Sequence, residues 1–202
     1  MANGFSRNHL IELINDISEP VVSGLGLEIW GIEVLGGGRT LVRIFVDFAD
    51  AAAAGDSPET ASQDALMGDE PGFASQSGVT VNQCAEISRL VGLALEVEEA
   101  FPNAWTLEVS SPGLERSFFR LDQLNRYLGE EIDVILWRPL VEVPLRKKYR
   151  GIVREVGADA FSLELSEVFP DSPPGVRIEW DAVRKASLRH AFPDTNKPGT
   201  GK

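Results

Sequence analysis

The apolar pattern of the chain changes once, after residue 111. Before that point, apolar side chains recur every three or four residues in two segments and alternate in three others, which predicts two helices and three strands. After it, short apolar runs follow one another between glycines and prolines, which is typical of a small all-β domain. The sequence therefore predicts two domains, residues 1–111 and 112–192, and a disordered tail at 193–202.

The first domain is predicted in the order helix, strand, strand, helix, strand. One helix begins near Ser6 and is expected to kink or stop at Pro20, and a second extends from Thr80 to about Glu98. The strands cover 27–35, 40–48 and 104–110, and the pattern of the first leaves open which of its sides faces the core. Residues 49–78 contain six acids and no basic residue, which predicts a disordered acidic loop. The predicted fold class is α+β, with both helices on one face of a three-stranded sheet.

The second domain is predicted to contain a short helix and then four or five short strands. The helix covers 121–128, and the strand candidates cover 131–137, 149–156, 161–165, 176–180 and 185–190. Many short strands close together favour a small barrel, because closure leaves few free edges.

The net charge of −12 is concentrated in the first domain. Residues 1–111 hold 4 basic and 17 acidic side chains, whereas residues 112–202 hold 15 and 14. An acidic domain repels RNA phosphates and attracts basic proteins, although acidity can also serve solubility alone. We take three acids on predicted strands as a candidate acidic protein-binding face: Glu28, Asp47 and Glu108.

The inventory of reactive side chains argues against several classes of protein. Cys84 is the single cysteine, so no intrachain disulfide can form, and a cytoplasmic location is expected. His9 and His190 lie near opposite ends of the chain, which argues against zinc but leaves an all-carboxylate magnesium site open. No apolar run is long enough for a membrane helix. Asp47 and Glu108 on neighbouring strands are the one acid–base alternative. Strand carboxylates that face solvent are commoner than catalytic pairs, so we predict that the protein is not an enzyme. We also predict no cofactor and no bound metal.

Two further segments carry candidate binding residues. In LEVSSPGLER (107–116), proline and glycine predict a rigid hinge between the domains, with hydrogen-bonding side chains beside it. The candidate hinge and interface residues are Ser110, Ser111, Pro112, Gly113, Glu115 and Arg116. In RKKYRGIVR (146–154), five basic residues and a tyrosine either contact phosphate and stack on a base or form a solvated loop. The candidate partner- or rRNA-binding residues there are Arg146, Lys147, Lys148, Tyr149, Arg150 and Arg154.

LEVSSPGLER closely resembles a segment of the RimP family of ribosome maturation factors. The resemblance extends through GLEIWGIEV, LVRIFVD, VTVNQCAEISRLV and RKKYRG, and so covers nearly the whole chain except residues 49–78 and the tail. It implies an α/β domain somewhat like the KH fold, followed by a small Sm-like or SH3-like barrel. The loop at 49–78 is longer than is usual in the family.

The resemblance also implies a non-enzymatic factor that binds the immature small ribosomal subunit. Its expected partners are that subunit, a basic small-subunit ribosomal protein and possibly rRNA, with no membrane and with the chain acting as a monomer. No two glycines lie three residues apart, so the GxxG clamp of RNA-binding KH domains is missing. The alternative function is a stand-alone single-stranded RNA-binding module that acts through the second domain.

Overall fold

A computed structural model describes residues 7–36, 39–49, 78–141, 146–166 and 174–190. The chain divides into two compact units, Met1–Pro112 and Gly113–Lys202, called unit 1 and unit 2 below. The mixed α+β class predicted from the sequence is confirmed. The predicted loop at 49–78 lies outside the described residues apart from its two end positions, and the tail at 193–202 lies outside them entirely.

Unit 1 contains two described helices and a three-stranded sheet. Its elements are α1 (Arg7–Gly24), β1 (Leu27–Leu35), β2 (Thr40–Phe48), α2 (Val81–Val97) and β3 (Trp105–Ser110). The strand order is β1-β2-β3, in which β1 and β2 are antiparallel and β2 and β3 are parallel. The described elements follow the predicted order, whereas likeness to the KH fold is not confirmed.

Both described helices of unit 1 contribute to one apolar core. The core is formed by Ile14 and Val22 of α1, Ile87 and Leu95 of α2, and one face of the sheet. α2 begins with a capping box, in which the Thr80 hydroxyl accepts from the backbone N–H of Gln83 and the Gln83 side chain accepts in return. Because both described helices pack on the same face of the sheet, they leave its opposite face uncovered.

α1 continues past Pro20 to Gly24, so a stop at Pro20 is wrong, whereas a kink there stays a prediction. Proline removes a backbone hydrogen bond and crowds the preceding turn, which normally ends or kinks a helix. Here Ser18 and Val22, on either side of Pro20, are both fully buried. Burial of the helix face against the sheet therefore outweighs the local preference of proline.

Unit 2 is built around a six-stranded sheet. Its strands are β4 (Ser117–Phe118), β5 (Glu131–Leu136), β6 (Lys148–Val156), β7 (Ala160–Leu165), β8 (Gly175–Glu179) and β9 (Val183–Leu188). The spatial order is β4-β9-β5-β6-β7-β8, and all pairs are antiparallel. Two short 3-10 helices, Leu121–Tyr127 and Trp180–Ala182, connect strands.

The small β-domain prediction agrees with this sheet, but a closed barrel is not found among the described strands. β4 and β8 are the two edges, and no pairing between them is present in the described part of unit 2. β4 has only two residues, so it offers too short a ladder to close the sheet. Likeness to the Sm or SH3 barrel is likewise not confirmed.

Among the helices of the described residues, none is long and apolar enough to cross a membrane.

Candidate functional site

The three acids predicted to form a protein-binding face lie on the same side of the unit 1 sheet. Glu28 is directly opposite Asp47 in the β1–β2 register, and Glu108 is opposite Arg43 in the β2–β3 register. Val42, Ile44 and Val46 alternate with these positions along β2 and are fully buried in the core. Glu28, Asp47 and Glu108 therefore belong to the face that the described helices do not cover, called the acidic face below.

Arg43 lies at the centre of the acidic face and ties its strands together. Its Nε is 2.6 Å from Oε2 of Glu108, and its Nη1 is 4.0 Å from Oε2 of Glu33. The hydrogen bond to Glu108 and the negative charge of Glu108 raise the pKa of the Arg43 guanidinium. Glu33 was not among the sequence candidates, although its register with Arg43 places it on the same face. Four carboxylates and one guanidinium thus leave the acidic face with a formal excess of negative charge.

The pairing of Glu28 with Asp47 places two carboxylates opposite each other on adjacent strands. Oδ1 of Asp47 accepts a hydrogen bond from the backbone N–H of Phe48 at 3.0 Å. Both side chains therefore contribute negative charge to the β1–β2 part of the acidic face.

The acid–base alternative is not supported by the register. Asp47 is four residues beyond Arg43 on β2, whereas Glu108 is directly opposite Arg43 and is bonded to it. The two carboxylates are therefore not brought together as an acid–base pair. Among the described residues, no group of three or more His, Cys, Asp or Glu side chains is arranged to hold a metal ion.

The predicted hinge residues lie on both sides of the division between the units. Ser110 ends β3 in unit 1, and Ser111 and Pro112 follow it. Gly113 opens unit 2 with a φ of 72°, a left-handed conformation that favours glycine. Glu115 is exposed, and the candidates on this side end at Arg116.

Arg116 is engaged within unit 2. Its guanidinium lies 5.7 Å from the ring centroid of Tyr127, and its carbonyl oxygen accepts from the backbone N–H of Leu188. These contacts anchor the end of the segment to the sheet of unit 2. Movement of the segment as a hinge stays a prediction.

Most of the predicted basic segment belongs to β6, but Tyr149 is not available for stacking. The Tyr149 side chain is 2% exposed, and its hydroxyl donates to the carbonyl oxygen of Arg146 at 3.1 Å. The Arg146 guanidinium lies 5.1 Å from the Tyr149 ring centroid, and its Nε donates to the carbonyl oxygen of Lys148. The proposed base-stacking role of Tyr149 is therefore wrong, because strand alternation turns this position into the core.

Two arginines of the basic segment are neutralised by carboxylates on neighbouring strands. Arg150 Nε is 2.9 Å from Asp133 Oδ1, and Arg154 Nε is 2.6 Å from Glu164 Oε2. Lys147 and Lys148, by contrast, are exposed and form no ion pair within the described residues. The lysine pair is thus the part of the segment whose charge is available to a ligand.

Sequence reasoning missed the residues that lie beside this lysine pair. Lys148 and Lys185 flank Ile135 in register on the two strands adjacent to β5, and Trp137 follows at the end of β5. Trp137 is 60% exposed, and the guanidinium of Arg184 lies 5.6 Å from its ring centroid. The available signal was the adjacent pair Arg184-Lys185, but the strand order that brings it next to Lys148 is not encoded locally.

The structure thus defines an α+β protein of two compact units, with an acidic sheet face on one and exposed cations on the other. Residues 17–115 match the family model described as the RimP N-terminal domain. The chain is 42% identical over 190 residues to the ribosome maturation factor RimP of Lawsonia intracellularis, covering 93% of this chain and 91% of that one. It is 43% identical over 196 residues to RimP of Nitratidesulfovibrio vulgaris, covering 94% and 95%. RimP of Desulfovibrio desulfuricans is 36% identical over 217 residues, covering 95% and 84%.

The chain belongs to the RimP family of ribosome maturation factors. The family resemblance recognised in the sequence is thereby confirmed, and so is the prediction of a non-enzymatic assembly factor.

Proposed function

We propose that this protein acts in the cytoplasm as a monomer and promotes maturation of the immature small ribosomal subunit by binding it. The acidic face of unit 1 engages a basic small-subunit ribosomal protein, and unit 2 contacts nearby rRNA. Membership of the RimP family supports the setting, and the arrangement of carboxylates on one sheet face supports the choice of partner.

The observation that carries the proposal is the placement of Glu28, Glu33, Asp47 and Glu108 on a face that the described helices leave uncovered. Ribosomal proteins that bind rRNA are rich in lysine and arginine because they neutralise phosphates. An acidic face attracts such a protein over a distance and competes with RNA for its cations. No bond needs to be made or broken: binding energy favours one arrangement of protein and RNA, and the factor leaves when the mature site forms.

The proposal is tested by co-sedimentation with purified immature small subunits and, separately, with large subunits at low and moderate salt. We expect selective binding to the small subunit that weakens as salt rises, because the attraction is between exposed charges. Equal binding to both subunits, or affinity that does not change with salt, would contradict the proposal.

A pair of matched variants tests the acidic face itself. Glu33→Gln with Glu108→Gln removes two charges from the face but keeps acceptors for Arg43. Glu86→Gln with Glu96→Gln removes the same charge from exposed positions of α2. We expect the first double variant to bind the small subunit several-fold more weakly and the second to bind like wild type. Equal loss in both would show that net charge, and not this face, determines binding.

The exposed lysine pair favours a second candidate, a stand-alone single-stranded RNA-binding module acting through unit 2. Lys147→Glu with Lys148→Glu separates the two functions. If the assembly-factor proposal is right, this variant loses direct RNA binding but retains binding to a basic ribosomal protein through unit 1. Loss of all subunit binding, with no measurable affinity of the wild-type protein for basic ribosomal proteins, would favour the RNA module.

A further inference from the structure

We propose that the last residues of β5, the first residues of β6 and the adjoining part of β9 form a binding site for single-stranded RNA, with Trp137 as the stacking platform for one base. The site consists of Trp137, Arg138, Lys147, Lys148, Arg184 and Lys185. This inference deepens the proposed rRNA contact of unit 2 and rests on it.

The cations of this site converge because of strand register. Ile135 pairs with Lys148 on one side and with Lys185 on the other, so the two lysines lie in one row across three strands. Two strand spacings separate them, which is roughly 10 Å. The row belongs to the outer side of the sheet, since the alternating residues Val134 and Leu136 are fully buried or nearly so.

An irregularity in β9 adds a further cation to the row. The β5–β9 register shifts between Ile135 and Leu136, so that Lys185 and Val183 face consecutive residues of β5 and Arg184 is the extra residue. Both Arg184 and Lys185 are consequently exposed, although they are neighbours in one strand. Bulges of this kind redirect side chains toward functional surfaces.

Trp137 is held in place while most of its surface stays open. Its backbone N–H donates to the carbonyl oxygen of Ala182 at 3.0 Å, which continues the ladder past the end of β5. The guanidinium of Arg184 lies 5.6 Å from the ring centroid and orients it by cation–π attraction. With 60% of its surface exposed, the indole retains area on which a base can stack.

Charge favours RNA over a protein ligand at this site. Arg138, Lys147, Lys148, Arg184 and Lys185 form no ion pair within the described residues. Asp133, the next outward-facing residue along β5, is already paired with Arg150 at 2.9 Å and lies 3.7 Å from Arg189. A cationic row that forms no ion pair within the described part of the chain, beside an exposed indole, fits a strand that offers both phosphates and an unstacked base.

The test is the affinity of the full chain for a short labelled single-stranded RNA, measured by fluorescence anisotropy over a range of salt. We expect Trp137→Ala to weaken binding about tenfold through loss of stacking, and Trp137→Phe to retain most of the affinity. Lys148→Ala with Lys185→Ala should reduce the slope of log affinity against log salt by about 1.4, since each phosphate contact on a single strand contributes about 0.7.

Two control variants on the same unit carry single changes of the same kind outside the site. Leu128→Ala removes an exposed apolar side chain that is 52% accessible, and Arg177→Ala removes an exposed cation from edge strand β8. Both should bind RNA like wild type, and all variants should melt at the wild-type temperature because every replaced side chain is exposed. If Trp137→Ala lowers the melting temperature, the inference is tested with Trp137→Phe and with the double lysine variant instead.

Three results would overturn the inference: unchanged RNA affinity in Trp137→Ala, equal affinity for the same sequence as a duplex, or no RNA binding by the wild-type protein. If the wild-type protein co-sediments with the small subunit but fails in these RNA assays, the inference alone is wrong. If it fails to co-sediment, the proposed function is wrong whatever the RNA assays show.

Discussion

Gly151 is the position of unit 2 at which a single methyl group should do most damage. It lies in β6, between Ile132 of β5 and Leu165 of β7. A Cβ atom built there would be 2.3 Å from the carbonyl oxygen of Glu164 and 3.2 Å from the Cα of Leu165. Both neighbours are backbone atoms, so relief requires movement of β7 by about 1 Å and not the rotation of a side chain.

The cost of Gly151→Ala follows from that displacement. Overpacking typically lowers the free energy of unfolding by about 1–3 kcal/mol. We expect a loss of about 3 kcal/mol here, because only backbone movement can relieve the contact. For a domain of this size, each kcal/mol lowers the melting temperature by about 4–8 °C, so we expect a fall of roughly 12–24 °C. If unit 2 binds RNA as proposed, the variant should also lose that affinity at temperatures where unit 2 is unfolded, because β6 carries Lys148.

Circular dichroism during heating measures this effect, and Gly92→Ala provides a control of opposite sign. Gly92 lies inside α2, and its added Cβ would meet only Leu107 Cδ2 at 3.9 Å, an ordinary contact. Alanine is favoured over glycine in a helix interior by about 1 kcal/mol, so this variant should be slightly more stable. A Gly151→Ala protein that melts at the wild-type temperature would refute the close approach of β6 and β7.

Two further predictions concern single buried or half-buried groups. Gln123 is 3% exposed, and its Oε1 accepts hydrogen bonds from the backbone N–H groups of Phe119 and Arg120 at 2.7 and 3.1 Å. Gln123→Leu leaves these donors without an acceptor, so it should lower the free energy of unfolding, measured in urea, by about 1–3 kcal/mol. Exposed Asn125→Leu is the control, and an equal effect of the two substitutions would contradict the role of Gln123. Burial raises the pKa of the Cys84 thiol, so little thiolate is present at pH 7. Alkylation by iodoacetamide should therefore be much slower in the native protein than in urea. The alkylation rate of the native protein should rise only at higher pH. Equal alkylation rates in native and denatured protein at pH 7 would show that the thiol is not shielded.

Local pattern was sufficient to predict most elements of unit 1 but not the core-facing side of β1. The predicted strands 27–35 and 40–48 have the observed bounds. The register of β1 shifts between Ile29 and Gly31, so Leu27 and Ile29 face the core before the irregularity, and Ile32 and Val34 face it afterwards. No assignment based on strict alternation could place the correct residues of β1 in the core, because an extra residue exchanges the two sides of the strand.

The acidic part of the candidate site was predicted from the sequence, and the exposed indole beside the cations was not. The acidic residues Glu28, Asp47 and Glu108 share a face because strand alternation places them there. Tyr149 and Trp137 both lie in or beside strands next to basic residues. Strand alternation places Tyr149 in the core, whereas the cations beside Trp137 are brought together by strand order, which joins residues far apart in the chain.

β3 pairs with β2 across a long stretch of chain, and this sets the order in which unit 1 can form. Glu108 follows Arg43 by 65 residues, yet the two are in direct contact on neighbouring strands. During synthesis, the β1–β2 hairpin is complete long before β3 is made, and closing so long a loop costs entropy before the parallel pair compensates for it. A nascent chain that ends before β3 therefore lacks Glu108 opposite Arg43, so the acidic face stays incomplete until β3 has been made and paired with β2.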